Sequence, residues 1–282
     1  MRDTNQGQML ENNIVLKKKR IWELDFIRGI LLILVTWDHI GIFGYCWGII
    51  GTSNVFSIWL KDVMFAYLAS PLRWGFEPIL IWMLILLSGI NCTFSRNHTS
   101  RAAQMLLLDL VFICGYEIAK VIAPQIVTGY TVFNILTIFS LSFIVWVFVD
   151  KFKIKTEYLF VVGLTFVIFG LYYYLQYRTT YLGEPLVFSR NSQWLFFTVY
   201  NQNAYVISSN NFEPLFPSLG FFLLGGVFGR SFYNRRSSLT GRSAPKFLKP
   251  TLWIGKHSLS VFLCAAPILV FFMWILTLLR IL

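Results

Sequence analysis

The chain begins polar and then turns apolar in long blocks. Its first sixteen residues are mostly polar, and the basic run Lys17-Lys18-Lys19-Arg20 follows. Beyond that run, largely uncharged stretches recur at about 20 residues, the length at which an α-helix crosses the hydrocarbon core of a bilayer. They are Phe26–Trp47, Phe76–Phe94, Ala103–Ala123, Thr131–Val149, Tyr158–Leu175, Pro214–Gly229 and Leu252–Leu279. No ten-residue alternation of the β-barrel kind and no internal repeat is visible, so helices are the only spanning form the pattern supports. The predicted fold class is all-α: a polytopic helical membrane protein with about seven transmembrane helices. Residues 1–16 read as a disordered polar N-terminus and 17–282 as a single transmembrane domain.

Two connections are long. Gly48–Gly75 contains Val55–Ala69, an amphipathic stretch carrying Lys61 and Asp62. It reads as an interfacial or re-entrant helix, with an eighth span as the alternative. Gln176–Glu213 is rich in Tyr, Asn, Gln, Ser and Trp. That composition suits a sugar-like ligand and equally a loop resting at the headgroup level.

Composition excludes the soluble alternatives. Of the 282 residues, 56% are hydrophobic, 18% aromatic and only 13% charged, half the charge of an ordinary soluble domain, which is about 25%. So few charges cannot cover a water-facing surface, which rules out a soluble enzyme, a disordered chain and a disulfide scaffold. The net charge of +11 would suggest nucleic acid in a soluble protein. In a membrane protein it points to cytoplasmic loops beside anionic lipid, so membrane lipid is the expected partner and nucleic acid is not. With the N-terminus cytoplasmic, seventeen Lys and Arg fall inside and six outside, and Arg28 lies within the first span. That split favours the N-inside orientation and puts the C-terminus outside. Cys46, Cys92, Cys114 and Cys264 lie in or beside apolar runs without C-x-x-C spacing. They read as small hydrophobes, with no metal site or disulfide expected.

The first span concentrates the chemistry. Polar side chains within a span are costly and mark interiors, ion paths or reaction sites. Here they are Asp25, Arg28, Asp38 and His39. At about 100° per residue, Arg28 lies roughly −60° and His39 roughly −40° from Asp25, on one face. Asp38 points about 140° away and needs another partner. Arg28 and His39 are about 16 Å apart along the axis. One face therefore places an ionic pair at the cytoplasmic end and an imidazole in the outer half. Two readings stand for each group. Asp25 and Arg28 form either an interfacial ion pair or an anion site. His39 is either an interhelical hydrogen bonder or a general base that burial keeps neutral. Asp109 in the third span reads as a partner for Arg101 or Arg28. Glu117 and Lys120 read as an i, i+3 pair. Glu77 reads as a carboxylate at the start of the second span. Gly255-Lys256-His257-Ser258 opens the last span, where amides, Lys256 and Ser258 suit either a phosphate or plain capping.

Four segments in order resemble one family. Arg20-Ile21-Trp22-Glu23-Leu24-Asp25-Phe26-Ile27-Arg28-Gly29, followed by Asp38-His39, is similar to its opening signature R-x-x-x-L-D-x-x-R-G with a later histidine. Leu87-Ser88-Gly89-Ile90-Asn91-Cys92-Thr93-Phe94-Ser95-Arg96 resembles its second-span ending. Phe212 to Arg230, with Pro217, Gly220, Gly225 and Gly229, resembles its penultimate span. Ile254-Gly255-Lys256-His257-Ser258-Leu259 with Pro267 resembles its last span. The family is the bacterial membrane acyltransferase group related to the catalytic domain of heparan-α-glucosaminide N-acetyltransferase.

The resemblance implies transmembrane acetylation in a bacterial plasma (inner) membrane. Acetyl-CoA is the implied donor at the cytoplasmic side, and a sugar amine or hydroxyl, free or on a lipid-linked glycan, is the acceptor outside. Arg28, Arg96, Arg101, Lys256 and Ser258 become the candidate donors to coenzyme A phosphates. His39, with Asp25 and Asp38, becomes the candidate catalytic set. The chain departs from the family at two histidines. Asn134-Ile135-Leu136-Thr137 stands where the family has Gly-Ile-Leu-His, and Ala265-Ala266 precede Pro267 where it has His-Gln. Asn210 stands where an acidic residue is usual. Two rival readings therefore stay open: a degenerate, non-catalytic binding or scaffold subunit, and a proton-coupled transporter. The sequence leaves homo-oligomerisation open.

Overall fold

The computed structural model describes residues 21–50, 55–95, 97–122, 134–181, 213–233 and 243–278. The first sixteen residues and most of the second long connection fall outside them. Nine α-helices are described, and no strand is present among the described residues. They are α1 (Trp22–Ile50), α2 (Val55–Leu68), α3 (Pro71–Cys92), α4 (His98–Ile122), α5 (Ile135–Lys151), α6 (Thr156–Tyr181), α7 (Leu215–Phe232), α8 (Lys249–Lys256) and α9 (Ser258–Leu278).

Six of these are long and apolar enough to cross a membrane: α1, α3, α4, α6, α7 and α9. The fourth expected span is α5, a helix of 17 residues, about 25 Å long at 1.5 Å per residue. Residues 131–133, with which that expected span began, lie outside the described residues. Apolar side chains point outward from these helices. On α6, Tyr158, Val161 and Ile168 are exposed, and on α9, Ile268, Phe271, Phe272 and Trp274 are. A soluble protein could not carry such a surface, whereas lipid tails solvate it. The protein is an all-α, polytopic, integral membrane protein.

The chain divides into two compact units, residues 1–77 with 233–282, and residues 78–232. In the first unit α1 packs against α2, α8 and α9. Helix α2 has 14 residues, about 21 Å, too short to cross a core of about 30 Å. It lies against α1, where Tyr67 and Met64 occupy the space left by the missing side chains of Gly41 and Gly44. The expected last span is divided. His257 leaves the helical conformation (φ −106°, ψ 30°) and caps α8 by donating its N–H to Trp253 O and Ile254 O. A second helix then starts at Ser258. The expected second span begins earlier than the apolar pattern suggested, at Pro71, because proline suits a first helical position.

The second unit is built from α4 on α5 and α6 on α7. Its core holds Ile85, Ile138, Phe143, Trp146, Leu219 and Phe222. Trp146 meets Phe222 edge-on at 6.1 Å between ring centroids, and Phe143 meets the same ring at 5.6 Å. A side chain at Gly226 would overlap the Trp146 ring, so this glycine makes the room the indole fills.

Close approach through glycine explains the motif segments. In the first unit a Cβ on Gly29 would strike Thr251 O, and one on Gly255 would strike Asp25 O. The first and last motifs therefore meet backbone to backbone. In the second unit a Cβ on Gly89 would strike Phe222 O, and one on Gly225 would strike Leu86 O. The second and third motifs meet in the same way. Small residues at helix contacts are how apolar helices gain packing in a medium as apolar as their own side chains.

Candidate active site

The inner part of the site is assembled on α1 and the α8–α9 junction. Acidic residues in the first turn of α1, Glu23 and Asp25, complement its positive end. Arg28 Nη1 donates to Asp25 Oδ1 at 3.3 Å and to the carbonyl oxygen of Gly255 at 3.3 Å. Both side chains are largely buried, 15% and 18% exposed. The expected i, i+3 pair is therefore present, and it is tied to the segment that carries Lys256 and Ser258. Lys256 is exposed, and Ser258 is half-buried as the first residue of α9.

Eleven residues beyond Arg28 on α1, His39 Nδ1 lies 2.8 Å from Val35 O. A carbonyl only accepts, so Nδ1 carries the hydrogen, and the lone pair of the neutral ring is on Nε2. In that tautomer Nε2 is the nitrogen that can act as a general base. The ring is half-buried, with Phe43 at 6.4 Å between centroids. His257 makes the same i−4 contact, Nδ1 to Trp253 O at 2.9 Å.

Asp38 finds the separate partner its angular position required. Arg73 binds it in a fork, Nε to Oδ1 at 2.7 Å and Nη2 to Oδ2 at 3.1 Å. Tyr67 donates its hydroxyl to Oδ1 at 3.1 Å. Arg73 also reaches Glu77 Oε1 at 3.4 Å, so Glu77 acts within α3 rather than at its start. Burial first, then the Asp38 carboxylate, push the Tyr67 phenol up to about 12. Tyr67 therefore stays a hydrogen-bond donor at any ordinary pH. Arg73 and Tyr67 did not stand out in the sequence, because nothing in a periodicity links positions so far apart in the chain.

In the second unit Asp109 does not pair with Arg101. Its Oδ1 accepts from Thr137 Oγ1 at 2.9 Å and from Asn134 Nδ2 at 3.2 Å. Asn134 also caps α5, accepting from the amides of Leu136 and Thr137 at 2.7 and 3.2 Å. A buried carboxylate is thus held by neutral donors at a helix N-terminus, where the dipole favours negative charge. Glu213, which no pattern in the sequence marks, is a second buried carboxylate of this unit and accepts from Ser218 Oγ at 2.5 Å. Glu117 and Lys120 form their expected pair at 3.9 Å. Arg101 is exposed on α4. Arg96 lies outside the described residues.

The structure thus brings Asp25, Arg28 and the segment of Lys256 and Ser258 together, sets His39 further along the same helix, and holds Asp38 in its own cluster. No curated protein and no solved structure gives a significant match to this chain. A family model does: that of the heparan-alpha-glucosaminide N-acetyltransferase catalytic domain matches residues 20–267. That match contains all four motif segments and nearly every helix, and the chain belongs to this family of membrane acetyltransferases.

Proposed function

We propose that the protein moves an acetyl group from acetyl-CoA, bound at the cytoplasmic side, to a sugar amine or hydroxyl on the outer side. The observation that carries the proposal is the contact of His39 Nδ1 with Val35 O at 2.8 Å, which in the neutral ring leaves Nε2 as the basic nitrogen. The lysine and arginine distribution supports the orientation, with the N-terminus inside a plasma membrane.

In this reading Arg28, held by Asp25 and Gly255, works with Lys256 and Ser258 on the phosphate end of the donor. Arg101 and Arg96 supply further positive charge on the same side of the membrane. His39 Nε2 accepts the proton from the acceptor as its nitrogen or oxygen attacks the thioester carbonyl. The new C–N or C–O bond forms and the C–S bond breaks. The imidazolium then returns its proton to the departing thiolate, giving free coenzyme A. Asp25 positions Arg28. Asp38 holds the outer part of α1 against α2 and α3 through Tyr67 and Arg73, and so positions the neighbouring His39. Such general base work contributes about 10²–10⁴-fold.

The test uses the full chain in nanodiscs with radiolabelled acetyl-CoA and glucosamine acceptors. Wild type binds and transfers label, Arg28→Ala loses binding, and His39→Ala binds but does not transfer. A folded wild type that binds no acetyl-CoA rejects the donor.

A further inference from the structure

One arginine outside the set above is built like a ligand-binding group. Arg230 ends α7, with its guanidinium carbon 4.9 Å from the centroid of the Trp146 ring. Its Nη1 donates to Ile154 O at 2.8 Å, a carbonyl in the tight turn between α5 and α6. That bond fixes the plane of the guanidinium. Among the described residues no carboxylate lies within ion-pair distance of it, although Asp150 is close enough to act on its charge. Trp146 itself is 1% exposed and cannot shift, because its ring fills the space above Gly226. Its buried Nε1 has no hydrogen-bond partner among the described residues. The ring of His98 stands edge-on to the same indole at 6.4 Å. His98 Nε2 lies 3.9 Å from Asp150 Oδ2, and that exposed carboxylate acts on both the imidazole and Arg230. Arg101 lies three residues beyond His98, and Lys151, Lys153 and Lys155 surround the turn, all exposed.

A half-buried arginine usually has a carboxylate to offset its desolvation. This one has an aromatic face and one carbonyl, and the exposed Asp150 carboxylate stands near it but beyond ion-pair distance. Stacking on tryptophan stabilises a guanidinium and leaves its edge for a planar, bidentate anion. Phosphate oxygens fit that fork, and the exposed lysines of the adjoining turn raise their local concentration.

We propose that Arg230, stacked on Trp146 and bonded to the turn that carries Lys153 and Lys155, forms with Arg101, which acts on the neighbouring His98, a phosphate-binding site of the second unit. The nucleotide end of a coenzyme A thioester and an anionic lipid headgroup present this same chemistry. Assignment to the donor rests on the transferase reading above, whereas the phosphate site stands without it.

The experiment measures binding of adenosine 3′,5′-bisphosphate and of acetyl-CoA to the full chain in nanodiscs. Discs of phosphatidylcholine alone are compared with discs containing phosphatidylglycerol. The variants are Arg230→Gln, Arg230→Lys and Arg101→Glu, each checked for thermal unfolding. Arg101 is exposed, so its charge reversal keeps the test alive if Arg230→Gln fails to fold. The expected result in phosphatidylcholine is a loss of bisphosphate affinity of tenfold or more in Arg230→Gln, a smaller loss in Arg230→Lys and a clear loss in Arg101→Glu. If acetyl-CoA follows the same order, the donor is the source. If phosphatidylglycerol displaces the bisphosphate and acetyl-CoA never binds, the headgroup is the source and the transferase reading fails while the site stands. Folded Arg230 and Arg101 variants that bind the bisphosphate and retain phosphatidylglycerol like wild type overturn the proposal, as does a wild type that binds neither.

Discussion

Arg28 donates to the carbonyl oxygen of Gly255, 227 positions further along the chain. This contact joins the first motif of the sequence to the last. It exists only because Gly29 and Gly255 let α1 and α8 approach until a Cβ on either would overlap the opposite backbone. Gly255→Val should therefore destabilise the first unit by about 1–3 kcal/mol, the usual cost of overpacking, or more because the clash is with backbone. Thermal unfolding in detergent measures it. Gly115, with open space around it, is the control: Gly115→Ala should leave the unfolding temperature unchanged or raise it, since alanine favours helix.

Asp38 and Arg73 form a two-point ion pair, each side chain 11% exposed. Removing one partner of a buried pair costs about 3–5 kcal/mol. Asp38→Ala should fall at the lower end of about 3 kcal/mol, because Arg73 keeps Glu77. The double variant Asp38→Leu with Arg73→Met should recover most of the loss. A double-mutant cycle by thermal or denaturant unfolding checks both, and a double variant that loses the sum of the two single losses would contradict the pair's coupling.

The Tyr67 phenol gives this cluster a pH signature. Its folded value of about 12 lies above the ordinary 10, so folding favours the protonated form. The stabilisation is complete below pH 10 and is lost as pH rises through about 12. Stability measured from pH 9 to pH 12 should fall less steeply in Tyr67→Phe than in wild type. Parallel curves would remove Tyr67 from the account.

Thr137 and Asn134 hold Asp109, with no cation beside it among the described residues. Thr137→Val should cost about 1–3 kcal/mol, the penalty of a buried acceptor losing a donor, while Thr137→Ser should restore most of it. Unfolding of the two variants side by side measures this, and equal losses would show that the hydroxyl does nothing for Asp109.

Much of the fold was legible in the sequence, for a physical reason. Long uncharged runs have few ways to satisfy their backbone in lipid, so length alone located six spanning helices and α5. Helix geometry alone predicted that Arg28 shares a face with Asp25 and that Asp38 needs a different partner. What stayed hidden depends on contacts between distant segments. Nothing local marks Arg73 as the partner of Asp38, or Asn134 and Thr137 as the donors to Asp109. The break at His257 was invisible too, because residues 252–279 are apolar on both sides of it. Nor did the pattern distinguish an interfacial α2 from a span until its 14-residue length was known.

The central claim is that one helix carries a donor site at its inner end and His39 towards its outer end. Its most direct test is transfer across a sealed membrane. Oriented proteoliposomes receive labelled acetyl-CoA on the face bearing the N-terminus, with glucosamine trapped on the opposite side. The account predicts acetylated sugar in the trapped compartment, made by wild type and absent with His39→Ala. Product confined to the acetyl-CoA side, or product made equally well by His39→Ala, would contradict it.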